Sequence, residues 1–353
     1  MTSSAPQAVI ASIGLCCPLG ESFNIATAAY ANGDRGFKKP SCLVGSDGFP
    51  PTLAHCLPVE TGQNYAIRLY HIFDKALKDC LDRAPDLSKS WYRGFELHVM
   101  LPAWMEHNDI YQKFHDTLLA PSASRITRIV SYFGEEAHSL ALIDVAVQKI
   151  RKGGADTIFI AGLDSHIYPM LLDRLDAKGL MLNRNNPYGF IPGEACAVIL
   201  LTERKLCPSP MGEILGFGSG SDVVAPAADA APIRGEGLAN ALRAVARALK
   251  PGDVPRRVLT DLNGARWRAE QHGFAVSRIG QILGDRLFDP ECHCLAVGHA
   301  GSATGAMMIA LALGPPPGKR GDEPDRVNVS SPVLAIATNP SGYSYALMLQ
   351  RKA

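Results

Sequence analysis

The stretch EAHSLALIDVAVQKIRKGGADTIFIAG, residues 136–162, decides the fold class. Ala137, Leu140, Ala141, Val145 and Ile150 recur at close to the helical period, which predicts a buried helix from Glu136 to Lys152. The Gly153-Gly154 pair ends it. Thr157 to Gly162 follows as a short apolar run, the pattern of a strand covered on both faces. A buried helix feeding such a strand is the repeating unit of an α/β protein.

Working outward, the same two textures alternate along the chain. Further strand candidates are Ala8 to Leu15, Glu96 to Leu101, Cys196 to Leu201, Glu213 to Phe217, Val258 to Asn263, His293 to Val297, Val333 to Ala337 and Ser344 to Leu349. Leu238 to Leu249 and Ser302 to Leu313 carry helical periodicity. The Pro- and Ala-rich stretch 223–232 and the Pro- and Gly-rich stretch 314–324 punctuate as loops. A dinucleotide-binding α/β enzyme fits poorly, because no strand runs into a G-x-G-x-x-G turn.

With 353 residues, 47% of them apolar and 20% charged, the chain is long enough for two domains or two fused halves. A net charge of +1 with scattered basic residues gives no footprint for nucleic acid or for an anionic membrane. No basic segment precedes Ala8 to Leu15 and no run approaches the about 20 apolar residues of a membrane span, so a cytoplasmic location is expected. The nine cysteines are odd in number and dispersed, the pattern of reduced thiols.

Five segments, in order, resemble the β-ketoacyl synthases of the thiolase superfamily. They are Val9 to Gly20 ending in Pro18-Leu19-Gly20; Ile150 to Asp156 with the strand after it; Gly189 to Ala197, a glycine-rich turn with Glu194 before a core strand; Gly298-His299-Ala300-Gly301-Ser302-Ala303-Thr304-Gly305; and the turn at Gly342. The resemblance implies a thiolase-like fold of two pseudo-repeated α/β halves, residues 1–205 and 206–353, stacked as five α-β-α-β-α layers. It also implies a dimer paired through the strand at Thr157 to Gly162.

Carried over residue by residue, the resemblance implies a degenerate site. The family's nucleophilic cysteine, which sits at a strand-to-helix elbow where a helix N-terminus lowers its pKa, falls on Glu136. No cysteine lies between Cys80 and Cys196 to take its place. The first catalytic histidine falls on Asn263, which donates a hydrogen bond but cannot shuttle a proton. The second is retained as His299, the usual lysine is replaced by Cys294, and of the late glycine-rich oxyanion turn only Gly342 survives, beside Pro340.

Each position has a plainer reading. Glu136 in a first helical turn would simply favour the helix dipole, and His299 could be a core histidine held by backbone bonds. Cys292-His293-Cys294 has zinc-type donors but not the paired C-x-x-C spacing of a structural site, so no metal and no cofactor is expected. Asp164-Ser165-His166 has the residue types of a triad, yet adjacent residues cannot adopt its geometry, and a solvated turn is expected. Gly218-Ser219-Gly220 reads as a loop, since no Lys-Ser or Lys-Thr follows.

Two functions follow from the resemblance. One is a non-condensing pseudo-ketosynthase acting through a protein partner in a homodimer or heterodimer. That partner would be a type VI secretion effector that it loads as an adaptor, an active ketosynthase that it joins like a chain-length factor, or an acyl carrier protein. The alternative is an enzyme acting on acyl thioesters through Glu136 and His299 without an acyl-cysteine.

Overall fold

The computed structural model describes residues 7–60, 64–85, 95–120, 126–223, 225, 232–249, 254–318 and 331–352. Most of the loop stretch 223–232 and the end of 314–324 lie outside the described residues. The strands are β1 (Ala8–Cys16), β2 (Phe37–Lys38), β3 (Leu53–Ala54), β4 (Phe95–Pro102), β5 (Ile126–Gly134), β6 (Thr157–Ser165), β7 (Glu194–Glu203), β8 (Gly212–Ser221), β9 (Arg257–Thr260), β10 (Glu291–Cys292), β11 (Pro332–Thr338) and β12 (Tyr343–Arg351).

Ten of these form one run in the order β10-β9-β11-β12-β8-β1-β7-β6-β4-β5. On one side β1 pairs antiparallel with β7 and β7 antiparallel with β6, while β6, β4 and β5 run parallel. The other side repeats the scheme: β8 pairs antiparallel with β12 and β12 antiparallel with β11, while β11, β9 and β10 run parallel. Among the described residues the two five-stranded halves pair strand to strand where Val9 and Ile10 meet Glu213 and Gly212.

The period of two along each strand sorts side chains into layers. In β1, Ala8 and Ile10 join the central core and Val9 and Ala11 an outer one; a bulge between Ile10 and Ser12 then reverses the alternation, so that Ile13 and Leu15 face the centre and Cys16 the outer core. In β12, Leu347 and Leu349 face the centre while Ala346 and Met348 face the other outer core. Between the halves lie the helices His138–Arg151 and Thr304–Leu313. Every residue of Thr304–Leu313 is buried, as a helix apolar all round requires. The helix Tyr65–Asp82 covers one outer face, and Glu236–Ala246 with Arg266–Leu283 covers the other. The result is an α-β-α-β-α stack, in which each fully buried Leu, Ile or Val contributes roughly 1.5–3 kcal/mol.

Sandwiching alters some sequence expectations. The helix after β5 buries Leu140, Leu142, Ile143, Ala146, Val147 and Ile150 on one broad face at i, i+3, i+4 and i+7 spacing, and leaves Val145 exposed. His293 to Val297 is not a strand: β10 ends at Cys292, and Cys294–Val297 is one helical turn. Strand β6 cannot pair across a dimer, because β7 and β4 occupy both of its edges. The edge of that half is β5, which the reading above did not anticipate. Asp164 and Ser165 are not on a solvated turn; they are the buried last residues of β6. Gly218-Ser219-Gly220 belongs to β8 rather than to a loop.

Glu194, at the start of β7, is wholly buried and fully engaged. Arg68 from the outer helix grips it through Nε at 2.6 Å and Nη2 at 2.7 Å, and Ser165 Oγ and Cys56 N donate at 2.6 and 2.7 Å. The same outer helix lies directly on β1. A Cβ on Gly14 would stand 1.9 Å from Ala76 O and 2.4 Å from Cys80 N, both backbone atoms. Gly14→Ala is therefore expected to lower stability by about 1–3 kcal/mol through overpacking, measured by denaturant unfolding; an unchanged midpoint would mean that the helix moves away at no cost.

Candidate functional site

Strand β5 ends at Gly134, and the chain turns through Glu135, Glu136 and Ala137 before the helix at His138. The turn leaves free helical N–H groups, and the late hairpin meets them. Asn339 Oδ1 accepts from Ala137 N at 2.7 Å, and His138 Nδ1 accepts from Glu135 N at 2.9 Å. Glu136 thus precedes the helix instead of occupying its first turn.

Its carboxylate points to two other elements. Oε1 lies 3.0 Å from His299 Nε2 and 3.1 Å from Arg268 Nη2. Arg268, from the start of the helix after β9, is buried and also bonds Asp261, Thr338 O at 2.7 Å and Thr338 Oγ1 at 2.8 Å. Asp261 in turn accepts from Thr338 N at 2.7 Å. One guanidinium therefore clamps the ends of β9 and β11 to the elbow after β5.

His299 lies in the loop before the helix Thr304–Leu313. Its backbone is fixed from both sides: His299 N donates to Ile191 O at 2.8 Å, and His299 O accepts from Gly193 N and His166 Nδ1, each at 2.9 Å. Its ring packs 4.5 Å from Phe190 and 5.3 Å from His166, between centroids. Asn263 Nδ2 donates to His299 Nδ1 at 3.3 Å, leaving Nε2–H to donate to Glu136. His299 thus bridges Glu136 and Asn263, whereas Gly342 is not part of the group.

Electrostatics set the protonation states. Burial alone would raise the Glu136 carboxyl, but the Arg268 charge and the His299 bond hold it down to about 2. Burial takes His299 down to about 4, outweighing the carboxylate beside it. At neutral pH the site holds a carboxylate and a neutral imidazole. Burial pushes the Asp261 carboxyl up and the Cys294 thiol well up, so Cys294 is an inert core thiol and no substitute nucleophile.

Gly342, at φ 100°, closes the β11–β12 hairpin, and its N–H donates to Asn339 O at 3.0 Å. The N–H of Ala137 is held by the Asn339 side chain. Asn339 thereby engages an N–H from each of the two segments that a ketosynthase-type oxyanion hole would draw on. Sequence reasoning missed Arg268, Asp261 and Asn339. Arg268 follows Asn263 by five residues in a stretch whose Arg266 and Glu270 read as surface, and only the tertiary contact with Glu136 distinguishes it. Among the described residues no group of three or more His, Cys, Asp or Glu side chains is placed to hold a metal ion.

Residues 133–206 match the model of the β-ketoacyl synthase N-terminal domain. A chain of the AntDE:AntF complex, a type II PKS acyl-carrier protein with its ketosynthase, superposes with TM-score 0.73 at 14% identity, covering 99% of this chain and 100% of that one. The fold is thiolase-like, of the ketosynthase kind. A β-ketoacyl synthase from Burkholderia phymatum gives 0.72 at 16% identity, covering 99% of this ketosynthase-like chain and 100% of its own. A structure of the ketosynthase ApeO with its chain length factor ApeC, from Xenorhabdus doucetiae, gives 0.70 at 16% identity and covers 99% of both chains. No curated protein matches this sequence.

Proposed function

We propose that this ketosynthase-like chain does not condense acyl groups and works through contact with another protein. The observation that carries the reading is the elbow itself: a carboxylate stands where a thiolate would be needed, and Arg268 and His299 hold it in place. The alternative, thioester hydrolysis or acyl transfer by Glu136 and His299, is disfavoured by the same geometry. A carboxylate whose pKa is near 2 is a weak general base at neutral pH, and the N–H groups of Ala137 and Gly342 are already engaged.

Of the partner roles, loading a type VI secretion effector fits best. It asks for a surface and no chemistry, and a late turn reduced to Gly342 is less than a chain-length-factor-like subunit of this resemblance keeps. Affinity purification of the chain from its own cells, followed by identification of the stoichiometric partner, tests this. Recovery of an effector supports the adaptor role; recovery of an active ketosynthase or an acyl carrier protein overturns it.

Dimerisation belongs to the same proposal, with β5 as the pairing edge. Ile129, Val130, Tyr132 and Phe133 are half-buried along that edge, and an uncovered edge strand is a template for pairing with another chain. Val130→Lys is expected to convert a dimer into a monomer in light scattering coupled to size exclusion. A wild-type monomer, or a variant that remains dimeric, would remove β5 from the account.

A further inference from the structure

A cavity of about 300 Å³ lies beside the elbow, with Glu136, Asp164 and His166 in its wall. Glu136 Oε2 and Asp164 Oδ1 are both buried, and neither has a hydrogen-bond partner. Asp164 Oδ2 accepts from Ser302 N at 2.8 Å, and among the described residues no cation pairs with this carboxylate. A buried carboxylate without a counter-charge is costly, and burial accordingly pushes the Asp164 carboxyl up. His166 donates Nδ1–H to His299 O, and in the tautomer with its proton on Nδ1 the ring offers Nε2 as an acceptor. Gly301, at φ +49°, makes the room: a Cβ there would stand 2.0 Å from Asp164 Oδ2 and 3.2 Å from His166 Nε2.

The lining residues Glu136, Asp164 and His166 carry three acceptors, the number of donors on a primary ammonium group. Leu171, Leu175 and Leu180 supply apolar lining, and Glu135 and Ser302 add two further polar residues. Arg174 and Lys178 also line the cavity, one helical turn apart and exposed, and among the described residues neither is in an ion pair. Cations at the rim favour a ligand whose far end is anionic.

We propose that this cavity binds an ω-amino acid. Its ammonium group donates to Glu136 Oε2, Asp164 Oδ1 and His166 Nε2, its aliphatic stem lies against the leucines, and its carboxylate meets Arg174 and Lys178. The inference does not depend on the protein-partner reading, since an elbow silent in condensation retains the cavity.

Calorimetric titration of the full chain with 6-aminohexanoate, hexylamine and hexanoate tests it. The zwitterion is expected to bind, with each singly charged probe weaker by about tenfold or more, the effect of losing charge-assisted bonds. Asp164→Asn should weaken 6-aminohexanoate and hexylamine, and Lys178→Ala should weaken 6-aminohexanoate and hexanoate only. The exposed Lys178 site keeps the test open if Asp164→Asn does not fold. Hexanoate binding as tightly as the zwitterion, affinities unchanged in both variants, or no heat from 6-aminohexanoate would each overturn the proposal, the first by showing a site for uncharged-stem acids instead.

Discussion

Replacing Arg268 by methionine is expected to lower the stability of the protein by about 3–5 kcal/mol at neutral pH, the usual cost of breaking a buried ion pair from one side. Arg268 is the common partner of Glu136 and Asp261, and methionine would leave both carboxylates buried without their cation. The effect should depend on pH in a defined direction. In the wild type Glu136 is depressed from an ordinary 4.5 to about 2. Its contribution is complete above pH 4.5 and is lost as the pH falls towards 2. His299 is likewise depressed, from 6.5 to about 4, so its contribution is complete above pH 6.5 and fades on acidification to about 4. In Arg268→Met the Glu136 carboxyl returns upward and is protonated earlier, so the gap between variant and wild type should narrow as the pH falls. Urea unfolding from pH 7 to pH 4 measures both effects; a constant gap would mean that Arg268 acts by packing alone.

Glu194→Ala is expected to cost a comparable amount, about 3–5 kcal/mol. Arg68 would keep the carbonyls of Pro58 and Leu57, at 2.8 and 2.9 Å, but lose its counter-charge in a fully buried position. Ser165 Oγ and Cys56 N would lose an acceptor as well. The double substitution Arg68→Met with Glu194→Leu should recover much of the loss, because an apolar pair needs no desolvation of charge. Thermal and urea unfolding of the single and double variants read this directly, and a double variant less stable than either single one would contradict it.

Much of the architecture was legible because local pattern and tertiary environment agree. Thr157 to Gly162 and Cys196 to Leu201 are short, apolar throughout and end at turn residues, and they are the cores of β6 and β7, buried on both faces. Strand β5 was not legible in this way. Ile126 to Gly134 mixes Thr127 and Arg128 with β-branched and aromatic residues, since one edge is unpaired and its faces are only half covered. The strand expected at His293 to Val297 failed for the opposite reason: Cys294, Ala296 and Val297 are buried by a single helical turn that leaves Leu295 exposed, and so short an apolar run does not distinguish the two periods. At the site, Glu136, Asn263 and His299 stood out only by resemblance. Arg268 and Asn339, which decide what the elbow can do, are separated from Glu136 by 132 and 203 positions in the chain, and no local signal marks them as its neighbours.

The most direct test of the account is intact-mass spectrometry of the protein after incubation with acyl and malonyl thioesters of coenzyme A and of carrier protein, with product analysis and Glu136→Ala alongside. The account predicts no covalent adduct and no condensation, hydrolysis or transfer above the uncatalysed background. Turnover by the wild type that disappears in Glu136→Ala would contradict it and make the elbow a working active site.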